Sequence, residues 1–279
     1  MKRLLKNISL LAFFVLLFGV ISLGVGVAAT LIFPGTIDDV KFMLIYFVSM
    51  VLTYLAATLL ERVAYKYVMP IENSRAGFDP VALLAGVVLL IAISIVLAPL
   101  GEVLPSDSRI FPEGPFTLVS VVVLAPIFEE MIFRGRLYNM FKRNGSPLIS
   151  ASFSALAFGI VHLEPIVVVE ALIVGVVFSY FYLVKRSIFT PIILHMCNNA
   201  IAYALIVLSY RGEPLVAIGG DEDKALVVYI VSAIIVLVGV VVILRTFNKI
   251  SRAGKGVVYQ EVSADMSNEA PADAIADDE

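Results

Sequence analysis

The chain has 279 residues, of which 60% are hydrophobic and 15% charged, with a mean hydropathy of +0.99. A soluble domain holds about 45–50% apolar and about 25% charged residues, so the composition excludes water as the main solvent and points to an integral membrane protein. The net charge of −3 offers no basic surface to nucleic acid, and the single cysteine, Cys197, excludes an intrachain disulfide and a cysteine-based zinc cluster.

A bilayer core about 30 Å thick needs roughly 20 apolar residues of helix. Segments nearly free of charge run at 8–33, 42–60, 81–100, 147–163, 166–184, 188–209 and 225–244. A further one starts at Phe116, meets Glu129, Glu130, Arg134 and Arg136, and resumes its apolar pattern through Phe141. The expectation is an all-α polytopic membrane protein with about eight transmembrane helices over residues 1–250, the fourth carrying charge inside the membrane. The first segment exceeds a signal-peptide core of about 7–15 residues and is expected to stay as an anchor. From Ser251 to Glu279 the chain turns acidic and small, and is expected to form a disordered cytoplasmic tail.

Loop charge gives an orientation. With eight spans and the N-terminus in the cytoplasm, all of the 20 Lys and Arg residues except Lys41, Arg109, Arg211 and Lys224 fall on the cytoplasmic side. The positive-inside rule therefore places both termini in the cytoplasm.

Ionisable side chains in lipid cost roughly 2.5–3.5 kcal/mol each on insertion scales and mark function by default. Here Glu129, Glu130 and Arg134 fall on the fourth span, His162 on the fifth, and His195 with Asn198 and Asn199 on the seventh. The turn signal Asn144-Gly145-Ser146-Pro147 makes the fourth and fifth spans an antiparallel hairpin. Glu129 lies as far before the centre of that turn as His162 lies after it, about 25 Å along each helix, so the two are expected to face each other at one level. His195 and Asn199 share a helix face through their i,i+4 spacing, roughly 14 and 20 Å in from Arg186. Together these groups suggest a polar chamber nearer the cytoplasm and open to it.

The chemistry that fits is water activation. A carboxylate and an imidazole at one level can hold a water and take its proton, an effect typically worth about 10²–10⁴ in rate. His195 and the Asn199 amide can donate to an oxyanion, at about 10²–10³ per donor. No serine or cysteine is evidently paired with these groups as a nucleophile, so amide hydrolysis by an activated water is the sharpest reading. Glu130 and Arg134 form an i,i+4 ion pair, and Cys197 is expected to be a small buried hydrophobe.

Three short patterns carry a resemblance. Glu129-Glu130-Met131-Ile132-Phe133-Arg134 fits EExxxR, Phe158–His162 fits FxxxH, and His195–Asn199 fits HxxxN. In this order on successive spans, over about residues 116–210, they resemble the CPBP intramembrane proteases, which include the Ras-converting-enzyme-type CAAX prenyl endopeptidases. The resemblance implies a glutamic-type endopeptidase without metal or other cofactor, in which Glu129 and His162 activate the water and His195 and Asn199 form the oxyanion site. Glu130 and Arg134 would brace the fourth span. The implied partners are membrane lipid and a peptide or prenylated protein substrate, with removal of a C-terminal tripeptide as the implied reaction. Three alternatives stay open on the residues alone: a zinc-dependent membrane metallopeptidase, a transporter with a polar midplane site, and a non-catalytic immunity-type protein.

Overall fold

The computed structural model describes residues 2–33, 35, 38–74, 79–104, 112, 114–210 and 222–268. Arg75, Arg109 and Arg211, which entered the loop-charge reading, and residues 269–279 of the acidic tail lie outside the described residues. The described chain forms eight helical rods, joined near the basic turns by one isolated antiparallel bridge between Asn73 and Ser187. They are α1 (Lys2–Ile32), α2 (Asp39–Tyr65), α3 (Pro80–Val103), α4 (Pro115–Lys142), α5 (Pro147–Ile160), α6 (Pro165–Lys185), α7 (Phe189–Tyr210) and α8 (Glu222–Asn268).

Among the described residues, α1, α2, α3, α4, α6 and α8 are long and apolar enough to cross a membrane, and the 22-residue α7 carries no Asp, Glu, Lys or Arg. The expected eight spans correspond to eight rods among the described residues, of which α5 is the short one. α5 has only 14 residues and stops at Ile160, so His162 sits in the turn beyond it rather than within a span. α7 interrupts its apolar sequence with His195, Asn198 and Asn199. α8 continues past Ser251 as far as Asn268, into the stretch expected to be disordered, because extending an existing helix avoids the cost of nucleating a new one.

Local chemistry sets the helix starts. Asp79 accepts from the backbone N–H groups of Val81 and Ala82 and caps α3, and Ser146 accepts from Ile149 and caps α5. Prolines at the first turn of α3, α4, α5 and α6 occupy positions whose N–H has no helical partner. One apolar cluster joins α3, α6, α7 and α8 through Leu90, Phe178, Phe181, Leu194 and Phe247, and a second joins α1, α2, α4 and α5 through Phe14, Met50, Phe133, Phe141 and Phe158. The α5–α6 hairpin lies between them. Its crossing is made by small residues: a Cβ on Gly175 would stand 3.0 Å from that of Ala155, and one on Gly159 would stand 2.9 Å from the Val168 carbonyl oxygen.

Helix α4 is not uniform. It widens into π-turns at Ser120–Leu124 and again at Phe133–Tyr138. Pro126 explains the first. In that turn Ala125 donates to Ser120, five residues back, and Pro126 has no N–H to give to Val121. The Val121 carbonyl is therefore left without a helical donor. In the second, Ser154 of α5 donates to the Phe133 carbonyl at 2.7 Å and Asn139 donates to that of Gly135 at 3.0 Å. π-turns of this kind free carbonyls for other partners and recur at functional sites.

Candidate active site

The second acid of the pair is the more deeply placed. Glu130 and Arg134 are both fully buried, and Arg134 Nη1 donates to Glu130 Oε1 at 2.8 Å. Arg134 Nη2 donates to the Gly175 carbonyl at 3.0 Å, and the guanidinium lies between the rings of Phe158 and Phe178, 4.7 and 5.2 Å from their centroids. A buried cation held by a carboxylate, a carbonyl and two aromatic faces fixes α4 against α5 and α6.

His195 joins α7 to both acids. Its Nδ1 lies 3.0 Å from Glu130 Oε1, and its Nε2 lies 3.7 Å from Glu129 Oε2. The ring stacks on Phe178 at 4.9 Å and meets the edge of Phe158 at 5.6 Å, leaving the residue 4% exposed. The Glu130 carboxylate only accepts, so Nδ1 carries a hydrogen and Nε2 is the nitrogen facing Glu129.

Glu129 is held from the opposite side by a residue that sequence reading missed. Tyr46 on α2 donates its hydroxyl to Glu129 Oε1 at 2.8 Å, leaving Oε2 toward His195. A signal for it was present. Tyr46, Ser49, Thr53, Ala57 and Glu61 recur every three or four residues along α2, and the last four are buried. A tyrosine on such a stripe must find a partner for its hydroxyl.

Asn199 stands about one helical turn farther from the basic turns than His195 on α7. His162 Nδ1 lies 2.7 Å from the Phe158 carbonyl, an acceptor only, so Nδ1–H is the donor and the Nε2 lone pair is the free one in the neutral ring. No hydrogen bond joins His162 to Glu129; the two imidazoles instead flank the same Phe158 ring, His162 at 4.9 Å. The FxxxH spacing thus sets an aromatic wedge between two histidines. Asn199 Nδ2 donates to the Val121 carbonyl oxygen at 2.9 Å, supplying the donor that Pro126 lacks. One of its two amide hydrogens is used in this way and the other is not. Asn198 reaches only the neighbouring Asn199 Oδ1, at 3.4 Å.

Two charges counted on the cytoplasmic side are drawn into a second cluster. Glu61 is fully buried and accepts from Arg136 at 3.3 Å and Arg143 at 2.9 Å, and Arg136 also donates to the Met69 carbonyl and the Tyr54 hydroxyl. This network clamps the basic end of α2 to α4. Among the described residues no three His, Cys, Asp or Glu side chains are grouped to hold a metal ion.

The comparisons with known proteins agree with the family resemblance. Residues 111–201 match the family model described as Type II CAAX prenyl endopeptidase Rce1-like. The chain is also similar to the membrane-embedded CAAX protease MroQ of Staphylococcus aureus, 26% identical over 176 residues, which cover 56% of this chain and 71% of that protein. No solved structure matches the chain significantly.

Proposed function

We propose, for a chain that belongs to the Rce1-like family of membrane endopeptidases, that a water beside Glu129 is the nucleophile and that no covalent enzyme intermediate forms. The observation that carries this reading is the division of labour on the Glu129 carboxylate: Oε1 is held by Tyr46, and Oε2 faces His195 Nε2 across 3.7 Å. A water set beside that gap donates one hydrogen to Oε2, and the free Nε2 of His162 accepts the other. Attack on the scissile carbonyl sends the water proton to Glu129, which passes it to the leaving amine as the carbon–nitrogen bond breaks.

The oxyanion falls to His195 and the remaining N–H of Asn199. Donation from His195 requires a hydrogen on Nε2 as well as on Nδ1, and Glu129 and Glu130 are the carboxylates that face the two nitrogens. Each such donor is worth about 10²–10³ in rate. The Arg134–Glu130 pair supports this chemistry indirectly by fixing the helix that carries Glu129 and the Nδ1 side of His195.

The substrate is a peptide bond in a membrane-associated polypeptide. The test is cleavage by purified protein of a CAAX peptide in prenylated and unmodified forms, each with and without a zinc chelator. Cleavage unaffected by the chelator supports the reading, and the ratio between the two peptides measures dependence on the prenyl group. Activity abolished by the chelator and restored by zinc would replace Glu129-centred catalysis by the metallopeptidase alternative.

A further inference from the structure

We infer that Phe178 is a positioning residue for His195: its ring fixes the plane of the imidazole and so sets where Nε2 stands relative to Glu129. This role deepens the reading of Glu129 and His195 as the reactive pair and rests on it.

Helix α6 carries none of the three sequence patterns, yet it meets the site at two places one turn apart. Gly175 and Phe178 are three residues apart and share a helix face. Gly175 is a notch. Its carbonyl oxygen accepts from Arg134 Nη2 at 3.0 Å and from the Ser179 hydroxyl at 2.9 Å, and a Cβ there would stand 3.2 Å from Arg134 Nη2. Phe178 is a wall. Arg134 lies over its ring at 5.2 Å, and the imidazole of His195 stacks on it with 4.9 Å between centroids and 30° between planes.

The other contacts of His195 leave its plane loosely held. Nδ1 is anchored to Glu130 Oε1 at 3.0 Å. That bond tolerates a swing of about 30° from linearity, and the χ2 torsion of histidine is broad. The two ring nitrogens are about 2 Å apart, so such a swing carries Nε2 about 1 Å, a displacement that can cost about 10² in rate. On the far side Nε2 faces Glu129 Oε2 across 3.7 Å, too long a gap to hold the ring. Phe158 meets the imidazole edge-on, at 5.6 Å and 86°. An edge limits sliding, whereas a face limits tilt, and Phe178 supplies the face.

Phe178 is itself immobilised. It has no exposed surface and is packed in the cluster that includes Leu194 and Tyr182. Arg134 Nη1 and His195 Nδ1 both address Glu130 Oε1, so a single ring backs both groups that converge on that oxygen.

The experiment uses the full chain in mixed micelles, as Phe178→Leu, Phe178→Met and Phe181→Leu. Methionine fills an irregular gap without supplying a plane, which gives a second variant suited to folding. Phe181 is buried in the same helix and cluster with its ring against Tyr180, so its replacement reports general loosening of the core. Both Phe178 variants should lower kcat about 10–100-fold at unchanged KM, and Phe181→Leu should keep the parental kcat. The chain has two histidines, so 13C-labelled histidine gives two ring signals, assigned with His162→Ala. The ring hydrogens of His195, shielded by the face of Phe178, should move downfield in both Phe178 variants and stay in place in Phe181→Leu. Parental kcat in a folded Phe178 variant, or an equal fall in Phe181→Leu, would overturn the role by reducing Phe178 to packing. An unmoved His195 signal would overturn it by showing that the imidazole does not lean on that ring. The signals need no turnover, so the placement of His195 is read separately from cleavage by Glu129→Gln, which tests the reactive pair itself.

Discussion

Asn199 carries two tasks that one double substitution separates. Its amide gives one hydrogen to the Val121 carbonyl oxygen, whose helical donor is missing because residue 126 is proline, and its second hydrogen is assigned to the oxyanion. Asn199→Ala leaves a carbonyl in the membrane without a donor, a loss of about 1–3 kcal/mol of stability. It also removes one oxyanion donor, a loss of about 10²–10³ in kcat. Pro126→Ala restores a backbone N–H five residues after Val121, the spacing already used by Ala125 and Ser120 in the same π-turn. The double variant should therefore recover most of the stability lost in Asn199→Ala while kcat stays low. Pro126→Ala alone measures what the proline ring itself adds to packing, and that amount is subtracted from the comparison. Unfolding in mixed micelles and single-turnover cleavage read the two quantities separately. Recovery of activity together with stability would show that Asn199 only latches α7 to α4. Simple additivity in stability would show that the carbonyl was never short of a donor.

Tyr46→Phe removes one hydrogen bond to a carboxylate at nearly constant volume, so kcat should fall about 10–100-fold, matching about 1.5–3 kcal/mol, with KM unchanged. A raised KM at full kcat would place Tyr46 in substrate binding instead. Gly175→Ala sets a methyl 3.0 Å from Ala155 Cβ and 3.2 Å from Arg134 Nη2, and should cost about 1–3 kcal/mol through overpacking, read as a lower unfolding midpoint. Asp79 caps α3 and accepts from Lys185 at 2.6 Å, and that hydrogen bond holds its carboxyl below the usual aspartate range. Its contribution is present above the ordinary aspartate value and fades as pH falls through the lowered one. Asp79→Asn should therefore melt below the parent near neutral pH and converge with it in strong acid; a constant gap across that range would show that charge is not involved.

Sequence spacing reveals contacts within a helix more readily than contacts between helices. The Glu130–Arg134 pair and the shared face of His195 and Asn199 follow from i,i+4 geometry, and residue counting from the Asn144–Pro147 turn put Glu129 and His162 at comparable depth. Depth alone did not reveal that His162 and His195 would flank the Phe158 ring, because azimuth is set by packing. Widening α4 at Pro126 and again at Phe133–Tyr138 changes the direction of later side chains in ways an ideal helix count omits. Tyr46 was hidden in an apolar run whose stripe of small and polar residues faces α4. Arg136 and Arg143 entered only the count of cytoplasmic charges because their partner, Glu61, lies more than 70 residues earlier in the chain. The shortness of α5 was masked by the apolar residues Val161 and Leu163, which prolong the hydropathy signal beyond the helix.

The most direct measurement is single-turnover peptide cleavage by Glu129→Gln against the parent enzyme, with folding checked by the unfolding midpoint. Replacing Oε2 by an amide keeps shape and removes the base, so cleavage should fall by about 10²–10⁴ while the midpoint shifts little. Cleavage at parental rate by the folded Glu129→Gln protein would contradict Glu129-activated water as the nucleophile.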